Sequence, residues 1–228
     1  MVLIPGLSRR NFLQVVFGSS AALLVPPAPP KQSQSSGVDH FDPPLFGQVF
    51  VTLQHLEPVL DSFGEPTGDH HIGVDLNIGE GDDDRGFPIL LIGNGRCVHT
   101  SSSEACGLGN IAIFVHEMPD GVLLYSRYAH LGHIFVEVGQ SMRRGELVGQ
   151  VGESGCQRSP HLHLDIATEA VWRESLQANP RWYPQAAPAW WLRRRFMDPL
   201  PLISGTDTLA PLGAKQGTRW DFILTGDE

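Results

Sequence analysis

From Phe46 onward, apolar and polar residues alternate in short runs broken by turn residues. Phe46–Leu53 reads as a first strand. Glu57 to Gly68 is turn-rich and shows no clear period. Pro88–Ile92, the turn Gly93-Asn94-Gly95 and Arg96–Val98 read as strand, turn, strand. Asn110–His116 and Gly121–Tyr128 repeat the pattern around Pro119-Asp120-Gly121, and Gly145–Val151 continues it. The clearest alternation is Ser159 to Ile166. In a strand it puts His161, His163 and Asp165 on one face and Leu162, Leu164 and Ile166 on the other. Short strands with turns at close intervals predict a mainly β fold, an antiparallel sheet domain.

The pattern changes after Ile166. Thr168 is placed to cap a helix running through Gln177, with Trp172 and Leu176 on one face and Pro180 ending it. Trp182, Tyr183, Trp190 and Trp191 follow, then Arg193-Arg194-Arg195. A sugar- or peptide-binding lip is one reading. We favour tryptophans that pack a short helical extension onto the domain, with arginines in water or paired with an acidic body.

The first residues carry a different signal. Ser8-Arg9-Arg10-Asn11-Phe12-Leu13-Gln14 ahead of the apolar run Phe12–Val25 resembles a twin-arginine export signal, and the run is shorter than the ~20 residues a membrane span needs. Residues 26–40 are rich in Pro, Ser and Gln, as in a linker. The expected organisation is an export signal and linker over 1–36, a domain over 37–203 with a Trp-rich insertion at 168–196, and a polar tail over 204–228. A periplasmic or secreted location follows, with inner-membrane anchoring if the signal is retained. Residues 37–67 are long enough to cover a groove. Removing residues 1–36, which hold three basic residues and no acid, takes the formal net charge from −9 to −12. An acidic body argues against nucleic acid as a partner, and we expect a monomer. Of the cysteines, Cys97 and Cys106 flank a hairpin tip at His99–Glu104 and can pair across it, which leaves Cys156 free. Spacing alone does not fix the connectivity.

Two imidazoles two apart on one strand face can share one site, one holding a metal and the other handling protons. Two surface histidines on a strand are an equally good reading of that stretch alone. Asp165, on the same face, orients a histidine or points to solvent at a strand end. We favour the solvent reading slightly. The second informative segment is Gly68–Asn77. In a straight strand His71 and Asp75 would lie about 13 Å apart between α-carbons, too far for one ion. Sharing an ion therefore requires a bend, and Gly73 is where it fits. Glu80–Asp84 lacks the alternating pattern of a calcium loop and reads as a solvated run. His40, His55, His99 and His116 have no partners at ligand spacing, His70 faces the opposite side of an extended segment and reads as exposed, and His133 reads as a loop residue.

The ordered set His71-x-x-x-Asp75, Tyr128-Ala129-His130-Leu131 and His161-x-His163 resembles the M23 family of zinc metallopeptidases, the lysostaphin- and LytM-like peptidoglycan endopeptidases. The likeness runs from Gly68 to Ile166 and resumes at Asp198-Pro199-Leu200. The resemblance implies one Zn2+ held by His71, Asp75 and His163, with His130 and His161 as catalytic histidines. It also implies a β-rich domain with a groove over the antiparallel sheet, and peptide bonds of peptidoglycan stems or cross-links as substrate. Zinc with two histidines and a carboxylate keeps a position for water, whose pKa falls toward ~7. No HExxH motif supplies a glutamate base, so we assign that role to His161, with His130 orienting the water or stabilising the oxyanion; the reverse assignment of the two histidines fits the sequence equally. Two features depart from the family: Gln157-Arg158-Ser159-Pro160 stands where Ser/Thr-Gly-Pro is common, and the Trp-rich insertion has no standard counterpart. A non-catalytic M23-like regulator of wall hydrolases is the alternative, weakened because all five positions are filled. A protease acting on proteins is another. A zinc carboxypeptidase of a different fold would carry a Glu or Asp just before His161 or His163, and none stands there.

Overall fold

The computed structural model describes residues 37–38, 40–60, 66–157 and 159–203. The export signal and the polar tail expected from the sequence lie outside them. Described strands, in chain order, begin with β1 (Phe50–Leu53), the hairpin β2 (Pro58–Leu60) and β3 (Pro66–His70), then β4 (Val74–Asn77), β5 (Pro88–Leu90) and β6 (Gly95–Ser101). They continue with β7 (Ile111–Glu117), β8 (Leu123–Ala129), β9 (Leu131–Ile134), β10 (Ser141–Met142), β11 (Leu147–Val151), β12 (Leu162–Thr168) and β13 (Phe196–Met197). The main sheet runs β1-β4-β12-β8-β7-β6-β10, with β13 beside the far half of β12. A three-stranded sheet, β5-β11-β9, packs with it, and all described pairings are antiparallel. This is the mainly β, antiparallel class the alternation predicts.

Period two sorts β12 into two environments. Leu162, Leu164 and Ile166 join Val74, Leu76 and Tyr128 of the main sheet and Ile89, Val148 and Val151 of the small sheet in one core. The opposite face is also covered. There Ile111, Ile113, Tyr125, Ala129 and Ala167 meet Val171, Leu176, Leu192 and Phe196. These come from α1 (Glu169–Val171), a wider π-helical segment Trp172–Leu176 that follows it, α2 (Ala189–Arg193) and β13. Trp172 stacks on Tyr125 at 4.7 Å between ring centroids, and Trp182 and Trp191 pack into the same cluster. Trp172, Trp182 and Trp191 thus fix the extension to the sheet, as expected, while Trp190 is exposed. Arg195 lies 4.0 Å over the Trp191 ring, while Arg193 and Arg194 are exposed. α3 (Leu200–Ile203) closes the described chain.

Several local expectations differ from the structure. Glu57–Gly68 is not simply turn: it contributes to the β2–β3 hairpin. Val38, Phe41 and Leu45 are buried in the core, so packed chain begins well before Phe46 and inside the stretch that looks like a linker. Two aliphatic residues and a phenylalanine outweigh the local proline and serine content once they reach the edge of an apolar cluster. Thr168 precedes the helix but makes no side-chain capping bond. Asp84 is no solvated acid: it is 1% exposed and accepts from Ile78 N–H, Gly79 N–H and the Asn77 amide, closing the loop after β4.

The cysteines also pair differently. Cys106 and Cys156, 50 residues apart, form the disulfide, and Cys97 is free and buried. Cys97 sits mid-strand opposite Phe114 with its side chain in the core, so it cannot reach across its own hairpin tip. Among the described residues no helix is long and apolar enough to cross a membrane.

Candidate metal centre and groove

Three adjacent strands carry the site. Register sets His163 of β12 opposite Asp75 of β4 on one side and Ala129 of β8 on the other. Gly73 supplies the bend that brings His71 back to Asp75. Its φ is +112°, and a Cβ there would lie 2.4 Å from the Leu164 carbonyl oxygen, so only glycine fits. His130 is the single residue between β8 and β9. Its φ of 60° turns the chain, and its N–H donates to the Leu108 carbonyl at 3.0 Å.

His71 Nε2, His163 Nδ1 and Asp75 Oδ1 form a triangle with edges of 3.0–3.1 Å. Tetrahedral zinc with bonds near 2.0–2.1 Å sets its ligand atoms roughly 3.3 Å apart. The acceptors behind the rings decide what these atoms offer. His71 Nδ1–H donates to the Gln54 carbonyl at 3.2 Å, and His163 Nε2–H donates to Asp165 Oδ2 at 3.3 Å. Each ring therefore turns a lone pair into the triangle, where the Asp75 carboxylate adds another. Three acceptors at that separation require a cation or a proton among them. The electrostatics agree. Burial opposes charge on His163, yet hydrogen bonds to Asp165 and Asp75 raise it to about 9. Burial likewise opposes charge on Asp75, but hydrogen bonds from His163 and His71 hold its carboxyl well below the usual carboxylate range. The donor set fits zinc, and these three residues are the described group that could hold a metal ion.

The other two expected histidines stand beside the triangle. His161 Nε2 is 3.7 Å from Asp75 Oδ2, and its Nδ1 faces the Ser159 carbonyl at 3.0 Å. The His130 ring lies 4.7 Å from that of His161, and its Nδ1 faces the Ser154 carbonyl at 3.0 Å. A carbonyl can only accept, so both Nδ1 atoms carry a proton, and the Nε2 of each ring is an acceptor when that ring is neutral. Burial, then neighbouring His163 and His161, push His130 down to about 3, so it is neutral. All five histidine and aspartate candidates thus line one groove of about 430 Å³.

Asp165 departs from the solvent-facing expectation. It is fully buried and accepts from Arg127 Nε at 2.8 Å, directly across the β8–β12 register, while holding His163. Arg127 Nη1 in turn donates to the Pro180 and Trp182 carbonyls. Tyr183 hydroxyl bridges Ile72 N–H and C=O, 2.8 and 3.2 Å away, and its ring lies 5.6 Å from that of His163. The Trp-rich extension is therefore built into the support of the three candidate ligands. His55, which has no partner at ligand spacing, accepts the Gly73 N–H at 3.1 Å and holds the bend. Burial, then His71, lowers it to about 4, so it stays neutral there.

Comparison with known proteins gives a consistent picture. The chain is 31% identical over 94 residues to peptidoglycan DD-endopeptidase ShyA of Vibrio cholerae, covering 41% of this chain and 20% of that protein. It is 29% identical over 112 residues to glycyl-glycine endopeptidase ALE-1 of Staphylococcus capitis, covering 48% and 28%. To lysostaphin of Staphylococcus simulans it is 33% identical over 99 residues, covering 42% and 18%. The matched region thus spans less than a third of each of these relatives. The solution structure of lysostaphin aligns over 77% of this chain and 61% of its own at 21% identity with a TM-score of 0.49, a likeness too loose to carry an argument. The family model for peptidase family M23 matches residues 69–175, a span that contains all five candidate residues.

Proposed function

We propose that this chain is an exported zinc endopeptidase that hydrolyses peptide bonds in peptidoglycan stems or cross-links. The observation that carries the proposal is the convergence of three lone pairs from His71, Asp75 and His163, with two acceptor Nε2 atoms beside them. Zinc held by those three residues supplies a Lewis acid that polarises the scissile carbonyl and acidifies water. His161, whose Nε2 lies 3.7 Å from Asp75 Oδ2, takes the proton of the attacking water and returns it to the leaving amine. His130 Nε2 is an acceptor too, so it orients that water instead of donating to an oxyanion. The Ser154 carbonyl fixes the His130 tautomer, and burial, then neighbouring His163 and His161, favour its neutral form. Asp165 fixes the tautomer and orientation of His163 in the same way.

Two features support export and the wall substrate. A disulfide fits an oxidising compartment, and Arg9-Arg10 ahead of an apolar run fits a twin-arginine signal. ShyA and ALE-1 are named for two different bonds, so the relatives support the substrate class and leave the bond to experiment. The experiment is hydrolysis of cross-linked peptidoglycan fragments by the wild type, His161→Ala and His130→Ala, with zinc content measured alongside. Each variant is expected to lose activity on the order of 10²–10⁴-fold while keeping one zinc per chain. Full activity in His161→Ala would sink the assignment of the base.

A further inference from the structure

The groove has one wall that comes from the Trp-rich extension: Arg181, Tyr183 and Gln185. Among the described residues lining the groove, Arg181 is the one lysine or arginine, and Asp75, already committed to the metal triangle, is the one carboxylate. The backbone on both sides of Arg181 is anchored. Arg127 holds the carbonyls of Pro180 and Trp182, and Tyr183 is tied to Ile72. The Arg181 side chain then crosses to the opposite wall. Its Nη1 donates to the Gly109 carbonyl and its Nη2 to Ser101 Oγ at 3.1 Å. Gly109 adjoins Leu108, whose carbonyl holds His130. The guanidinium is therefore held at the His130 end of the groove by two neutral acceptors. No described carboxylate pairs with it.

A half-buried guanidinium carries five donors. Two here are used on neutral oxygens, and the charge is left without a described counterion in an otherwise acidic protein. Such a group is pre-organised for an incoming carboxylate, the partner its fork geometry matches best. A strut alone would not need a fixed charge facing the groove.

We propose that Arg181 is a carboxylate-binding residue of the groove, so that the preferred substrate is an acidic stem peptide and not a neutral glycine bridge. The inference rests on the peptidase reading of the same groove and narrows its substrate. A carboxylate of the stem, near the bond to be cut, meets the guanidinium at the His130 end and fixes the register of the peptide against the metal triangle. The extension that departs from the family pattern thereby acquires a role in selecting the substrate.

The test uses the full zinc-loaded chain, a peptidoglycan stem peptide with free carboxylates, the same peptide with its carboxylates amidated, and pentaglycine. Binding is measured by calorimetry and cleavage by product mass. In the wild type the free acid binds at least about tenfold more tightly than the amidated form, as a charge-assisted pair predicts, and that preference weakens with added salt. In Arg181→Gln the ratio falls to near one, and in Arg181→Lys it is intermediate, because charge remains but the fork is lost. Melting temperature and zinc content of both variants identify misfolding. If Arg181→Gln does not fold, Arg181→Lys and the wild-type salt dependence decide. Equal binding of acid and amide by the wild type overturns the proposal, as does a ratio that survives in Arg181→Gln. A carboxylate preference in binding without any cleavage would sink the peptidase reading and leave standing only the carboxylate-binding role of Arg181. Cleavage without preference does the reverse.

Discussion

Each metal-facing histidine is aimed by what stands behind it. Gln54 carbonyl does this for His71, and Asp165 does it for His163. Asp165 is also the counterion of the buried Arg127, so one carboxylate serves both charge balance and ligand orientation. Asp165→Ala leaves Arg127 buried and unpaired, and a loss of about 3–5 kcal/mol in unfolding free energy is expected by urea titration. Asp165→Asn keeps the shape and weakens the orientation, and zinc affinity measured by competition with a chelator should fall roughly 10–100-fold. Unchanged affinity in Asp165→Asn would remove Asp165 from the site. Away from the groove, His116 is fully buried, with Nδ1–H on the Asn94 carbonyl and Nε2 on Ser126 Oγ. Burial lowers it to about 4. Its folded pKa lies below its unfolded value of ~6.5, so the unfolded chain takes up a proton first as pH falls. Its contribution is fully present above pH 6.5 and is lost between there and pH 4, by an amount on the order of 3 kcal/mol. The slope of stability against pH over that range should be shallower in His116→Gln. The triad-like face of His161, His163 and Asp165 was legible because period two needs no tertiary information. The burial of Asp165 was not, because it depends on Arg127 standing opposite it in another strand.

At the level of elements, the site is a product of strand register plus two exceptional backbone positions. The bend at Gly73 was legible from the spacing of His71 and Asp75, since only a non-extended chain can bring them together. The left-handed turn at His130 carries no sequence signal: a histidine rarely adopts it, and the Leu108 and Ser154 carbonyls impose it from two loops. The Cys106–Cys156 disulfide ties those same two loops, beside the Gly107 N–H bond to the Gly155 carbonyl. Pairing of loops 50 residues apart follows from the sheet order, which spacing along the chain does not disclose. The bridge closes a loop long enough to contribute about 4 kcal/mol. Cys106→Ser and Cys156→Ser should each lower the urea midpoint, and the double variant should cost little more than either single one. Additive losses would show that the two cysteines act separately.

Across the whole molecule, the main sheet is buried on both faces, by the small sheet on one side and the Trp-rich extension on the other. The extension both supports the ligands through Arg127 and Tyr183 and forms one wall of the groove. The sequence patterning was enough to place the tryptophans against the domain. It was not enough to see that the strap between them reaches the support of the His71–Asp75–His163 triangle, because carbonyls of Pro180 and Trp182 have no side-chain signature. The central claim is that this groove cuts peptidoglycan with zinc. The most direct measurement is release of muropeptides from purified sacculi by the protein as purified, after chelation, and after zinc is restored, with products identified by mass. The account predicts loss of cross-linked material, its abolition by the chelator and its recovery with zinc. Unchanged release by the chelated protein, or none from a folded protein carrying one zinc, would contradict it.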